Sequence, residues 1–212
     1  MRATLEFLDL IVIVPDADME ASIRGLLARP EALKIRPVAF DVARHVQRDA
    51  GCRSDCHNYL RLWQRSATYA SVLFDHAGSG CEQTPREELE LQVEEMLRTN
   101  GWDDRCAVIA IAPELETWVW SDSPVVDNVL GWGGQVPGLR DWLRHQTHFW
   151  TAGRPKPERP KEAMEAALRK TRKQRSSAIY QDLAGRVSVE RCVDPALGKL
   201  KDVLHRWFPR QD

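Results

Sequence analysis

The sequence predicts an α/β fold of Rossmann-like type: a mostly parallel sheet with helices on both faces and a helical C-terminal part. Three observations carry this. The apolar runs at residues 5–14, 69–74 and 106–112 lack polar alternation, as strands buried on both faces do. Each run stops at a turn containing Asp, Gly or Pro, and apolar residues at helical spacing follow. Strands that alternate with helices join through crossovers into a parallel sheet.

Leu5 to Val14 forms the first strand, and PDADME ends it before Met19, Ile23, Leu26 and Leu27 set up a helical stripe. Asp18 suits the N-cap of that helix, where its side chain would accept backbone N–H bonds. Asp16 stands at the carboxyl end of the strand, where open parallel sheets hold ligands, and it reads equally as a turn aspartate. Ile35 to Asp41 is a second short strand and residues 42–58 a polar connection. Cys52, Cys56 and His57 lie in that connection, but no second Cys/His pair stands at a spacing that would complete a zinc site. Tyr59 to Gln64 has helical character. A third strand, Tyr69 to Phe74, ends in Asp75 and His76 and a glycine-containing loop that also holds Glu82. That loop is not a Walker sequence and reads as a plain turn. Thr84, Pro85 and Glu87 form a capping box for a helix carrying Leu89, Val93, Met96 and Leu97, which ends at Asn100-Gly101.

Cys106 to Ala112 is the next buried strand. Pro113 ends it and takes the first position of a helix using Leu115, Trp118 and Val119, so Glu114 and Glu116 fall at the strand-to-helix turn. Acids there favour the helix macrodipole, which is one account of both. Residues 1–122 thus form the α/β core, and residues 123–212 a Trp-rich, basic helical extension packed on it. In the extension, Ser123-Pro124 and GWGGQVPG are irregular, and a short helix uses Leu139, Trp142 and Leu143. The tryptophans at 118, 120, 132, 142 and 150 read as an aromatic subcore rather than a base-stacking platform. A basic, proline-broken connector, GRPKPERPK, leads into a helix from Glu162 to Arg175. Another helix runs from Ser176 through Ala184, Val187 to Val189 adds an edge strand, and Asp194-Pro195 caps a last helix.

The 212 residues suit one domain with an appendage, and the five scattered cysteines suggest a reducing cytoplasm. No apolar run of roughly 18 residues exists, so no membrane span is expected. The net charge of -1 conceals an asymmetry. Residues 154–175 hold nine basic residues against Glu158, Glu162 and Glu165. Such a patch suits an anionic partner, with Lys156, Lys161, Arg169, Lys170, Arg172 and Lys173 as candidate nucleic-acid contacts, or is a solvated helix end. At the other pole, Asp16, Asp75, Glu114 and Glu116 come from three strand ends that a parallel sheet directs to one edge. Carboxylates gathered there repel one another, and Mg²⁺ or Mn²⁺, which prefer oxygen ligands, would stabilise them and bind phosphate.

Acids at the first and third strand ends of a small parallel sheet resemble the TOPRIM domain of topoisomerases, primases and the OLD-type and RloB-like defence nucleases. More closely, VIVPDADMEASIRGLL, FDHAGSG, APELETWVWSD, KPERPKEAME and RCVDPALGKL together resemble the TOPRIM-like component of bacterial methylation-associated defence systems. The resemblance implies an anti-phage role and a metal-dependent nuclease, with Asp75 and Glu116 as metal ligands and Glu114 or Asp16 assisting proton transfer. It also implies nucleic acid and other defence proteins as partners. Two positions depart from the pattern. Pro15 stands where TOPRIM enzymes carry a glutamate, and Ala77 replaces the second acid of their Asp-x-Asp. These departures leave open a degenerate module that binds nucleic acid or a partner protein without catalysis, and a phosphate-ester hydrolase acting on a small nucleotide is a third possibility.

Overall fold

The structure is a computed structural model that describes residues 7–145, 148–151 and 153–210. Four strands, β1 (Leu8–Val14), β2 (Phe40–Arg44), β3 (Ala67–Asp75) and β4 (Cys106–Ile111), pair in parallel in the order β2-β1-β3-β4. The strand order reverses between β1 and β3, the place where open parallel sheets form a crevice at their carboxyl ends.

Both faces of the sheet are covered, which explains the unbroken apolar runs. Leu10, Val12 and Val14 face one layer, and Ile11 and Ile13 face the other. The first layer holds α1 (Ala17–Leu27), α10 (Ser177–Arg186) and α11 (Pro195–Trp207). The second holds α3 (Arg48–Ser54), α4 (Cys56–Leu60) and α5 (Arg86–Leu97). Gly25 lets α1 and α10 approach closely, since a Cβ there would lie 2.9 Å from the Ala184 Cβ and 2.9 Å from the Gln181 carbonyl oxygen. The remaining helices are α2 (Pro30–Leu33), α6 (Glu116–Val119), α7 (Pro124–Val129), α8 (Leu139–His145) and α9 (Pro160–Thr171).

Charged side chains close both edges of the sheet. On β4, Glu94 accepts the Val108 N–H at 3.0 Å and Glu90 accepts the Ala110 N–H at 2.8 Å. Both glutamates are buried, and Lys199 of α11 bridges them, 2.8 Å from Glu94 and 3.1 Å from Glu90. On β2, Asp41 accepts the Val42 N–H at 2.8 Å while Arg24 donates to the Val42 carbonyl at 2.9 Å. Edge groups bonded in this way are withheld from an added strand.

Several boundaries differ from the sequence reading. Leu5 and Glu6 of the expected first strand lie outside the described residues. The second strand is Phe40–Arg44 rather than 35–41, because pairing with β1 begins at Phe40, and Ile35 instead bridges Pro209. The supposed polar connection contains α3 and α4. No capping box starts α5: Pro85 is its N-cap and no side-chain cap bond forms. Pro113 follows a cis peptide bond inside the turn, and α6 opens at Glu116. Ser123 caps a helix, α7, where irregular chain was expected, by accepting the Val125 N–H at 3.3 Å. Helix α9 stops at Thr171 because Arg172 turns left-handed, with φ 56°. No strand forms at Val187 to Val189.

The aromatic subcore is present. Trp120, Trp132 and Trp150 are buried, and the Trp120 and Trp150 rings meet edge to face with centroids 5.6 Å apart. Trp120 Nε1 donates to the Pro160 carbonyl at 2.9 Å and Trp150 Nε1 to that of Arg154 at 2.9 Å. With faces packed and N–H groups bonded, these rings are not open to nucleobases. Among the described residues, no helix is long and apolar enough to cross a membrane.

Candidate functional site

At the carboxyl edge beside the reversal point, one oxygen from each of Asp75, Glu114 and Glu116 lies within 4.8 Å of the others. Asp75 is the last residue of β3, and the chain leaving β4 brings the two glutamates to it. Asp75 Oδ1 accepts the Leu115 N–H at 2.8 Å, which fastens that turn to the end of β3. Burial and the charges of Asp49 and Glu116 hold the Asp75 carboxyl well above the usual carboxylate range. Burial and Glu116 also raise Glu114. Glu116 is buried, and its Oε1 accepts the Tyr180 hydroxyl at 2.6 Å and Arg175 Nη2 at 2.8 Å. Burial and Glu116 push the Tyr180 hydroxyl up, so it remains a donor.

The N-cap of α1 is Asp16, not Asp18. Its Oδ1 accepts the Asp18 and Met19 N–H groups at 3.0 Å each, because Asp16 is the extended residue and Ala17 the first helical one. Asp18 instead binds Arg175 at 3.0 Å and the Ser177 hydroxyl at 2.7 Å. Asp16 lies outside the three-carboxylate group but lines the adjoining cleft.

That cleft, about 730 Å³ and open to solvent, is walled by Pro15 to Asp18, by Arg44 to Val46 with Arg48, and by Lys161 and Arg175. Four cations therefore face two aspartates. Lys161 ties the cleft to the acids, its backbone N–H donating to Glu114 at 3.3 Å and its Nζ standing 4.0 Å from Glu114 Oε2. Of the other candidate nucleic-acid contacts, Lys156 turns inward to the Thr117 carbonyl at 2.8 Å, and Lys173 to that of Val129 at 2.5 Å. Arg169 pairs with Glu165 at 3.7 Å and, with Arg172, lines a second hollow that Arg175 also borders. Lys170 makes no ion pair among the described residues.

Three side chains at this edge were not singled out by sequence. Asp49 accepts the Asp75 N–H at 2.8 Å and is itself raised by burial. Tyr180 holds Glu116, and Arg48 has φ 51° beside the cleft. A signal existed for Arg48 and Asp49, whose charged side chains stand in the segment after a predicted strand, and none for Tyr180. Two other motifs prove structural. Glu82 accepts the Gly78 and Gly80 N–H groups at 2.9 and 3.2 Å, so the loop supplies its own anion, and His76 Nε2 bonds the Thr84 carbonyl at 2.9 Å. Cys52 and Cys56 are buried, burial pushes the Cys56 thiol up to about 12, and neither joins a group of metal-ligating side chains among the described residues.

No known protein family, curated protein or solved structure matches this chain.

Proposed function

We propose that the chain is a TOPRIM-like, Mg²⁺- or Mn²⁺-dependent nuclease of a bacterial methylation-associated defence system, with its site at the carboxyl edge between β1, β3 and β4. One observation carries the chemistry: three carboxylates converge within 4.8 Å beside a cleft rimmed by Arg44, Arg48, Lys161 and Arg175. The defence assignment is supported by the resemblance of the five stretches quoted above.

The donor set fits a hard divalent cation. Asp75 Oδ2 and Glu116 Oε2 accept no hydrogen bond among the described residues, and Glu114 Oε2 has only the distant Lys161 ammonium. Asp75 and Glu116 would hold the ion. Such an ion, when bound, neutralises phosphate charge and acidifies a water ligand. Lys161 and Arg48 would orient the phosphate from the rim. Glu114, whose carboxyl burial and Glu116 raise, would take the proton from the attacking water. Asp16 keeps one oxygen beyond its capping bonds and would assist from the opposite wall.

A second reading, a binding module without catalysis, is favoured by Arg175 and Tyr180 already occupying Glu116, and by Pro15 and Ala77. Incubating the protein with Mn²⁺ and DNA or RNA separates the two. Cleavage that disappears in Asp75→Asn and Glu114→Gln supports the nuclease. No cleavage, together with affinity for duplex DNA that falls with salt at a slope of about -0.9 per neutralised phosphate, supports the binding module.

A further inference from the structure

Arg175 sits where three acids meet. Its Nη2 donates to Glu116 at 2.8 Å and Asp18 at 3.0 Å, and its Nη1 donates to Glu165 at 3.3 Å. Its guanidinium also lies 5.6 Å from the centre of the Tyr180 ring. Burial opposes the charge, but Asp18 and Glu116 more than offset it, so Arg175 is firmly cationic. It follows the left-handed turn at Arg172 and precedes α10, and it borders both the main cleft and the hollow lined by Arg169 and Arg172.

We infer that Arg175 is the resident counter-ion of the acidic cluster, and that a divalent cation displaces it from Glu116 into the cleft. This rests on the reading of Asp75, Glu114 and Glu116 as a divalent-cation site. Glu116 is the buried member of the three, with its side chain 4 % exposed, so its charge needs a partner in every state of the protein. Without metal, Arg175 and the Tyr180 hydroxyl supply that partner on one carboxylate oxygen. A divalent ion on the other oxygen would share one carboxylate with the guanidinium, and two cations that close repel strongly at the edge of a protein interior. Asp18 and Glu165 give Arg175 somewhere to go. Both are more exposed than Glu116, and both already hold the guanidinium, so it can swing off Glu116 without losing every partner. In the cleft it joins Arg44, Arg48 and Lys161, the groups placed to meet phosphate oxygens. The same side chain thus holds the empty site together and faces substrate once the site is loaded.

The test is a Mn²⁺ titration read by the electron paramagnetic resonance of free Mn²⁺, on the parent protein and on Arg175→Gln. The variant should bind Mn²⁺ about tenfold more tightly or better, because a repelling charge has been removed. In the unaltered protein, saturating Mn²⁺ should speed modification of Arg175 by a dicarbonyl reagent, followed by peptide mass spectrometry. This arm decides the matter if the variant does not fold. Equal or weaker binding by the variant, or an Arg175 reactivity that Mn²⁺ leaves unchanged, overturns the displacement while leaving the metal site standing. Failure of both proteins to bind Mn²⁺ overturns both.

Discussion

Replacing Asp75 with Asn should stabilise the metal-free protein at neutral pH and abolish its response to Mg²⁺. The substitution keeps an oxygen for the Leu115 N–H and removes one charge from a group of three carboxylates within 4.8 Å of one another. At that separation and an effective dielectric near 20, each like-charged pair repels by about 3 kcal/mol. Arg175 offsets the Glu116 share, so the expected net gain is about 1–2 kcal/mol, the usual size for relief of a strained functional site. For a chain of this length that raises Tm by about 3–6 °C. The pH dependence follows from direction. The Asp75 carboxyl is raised in the folded state, so as pH climbs from the unfolded carboxylate range the unfolded chain releases its proton first and the parent loses stability. The advantage of the variant should therefore open as pH rises above about 4 and close below it. Thermal unfolding in chelator at pH 7.5 and at pH 3.5, then with added Mg²⁺ at pH 7.5, measures all three effects. A variant that melts below the parent at pH 7.5 in chelator would show that the Asp75 charge is structural, and would refute the argument from repulsion.

Glu90→Leu should cost about 3–5 kcal/mol in urea unfolding, since it strands the Ala110 N–H, takes from Arg86 its buried partner and leaves Lys199 with Glu94 alone. Glu90→Gln, which still accepts that N–H, should cost clearly less, and equal losses would contradict the edge-closure account. Gly51→Ala places a methyl 2.1 Å from His45 Nδ1 and 2.7 Å from the Gln47 Cβ, and should lower stability by about 1–3 kcal/mol, measured calorimetrically. Trp120→Ala, which empties a buried site and frees the Pro160 carbonyl, should cost about 3–5 kcal/mol by chemical denaturation.

The sequence by itself determined the fold class and three of the four strands, because burial on both faces leaves a local apolar signature wherever it occurs. It also located Asp75, Glu114 and Glu116 at strand ends. Short-range geometry was less legible. In Asp16-Ala17-Asp18 either aspartate can cap, and the choice depends on which residue stays extended as the chain enters α1. The edge strand β2 carries exposed Asp41 and Arg44, one on each face, so its pattern is too weak to mark its bounds. Only the tertiary structure decided what the carboxylates touch. The order β2-β1-β3-β4 sets β3 between β1 and β4, bringing Asp75 to the glutamates, and the packing of α10 on α1 carries Arg175 and Tyr180 to Glu116 across about sixty residues of chain. Periodicity records how deeply a residue is buried, not which distant residue lies opposite it, and the chemistry of this edge depends on the second.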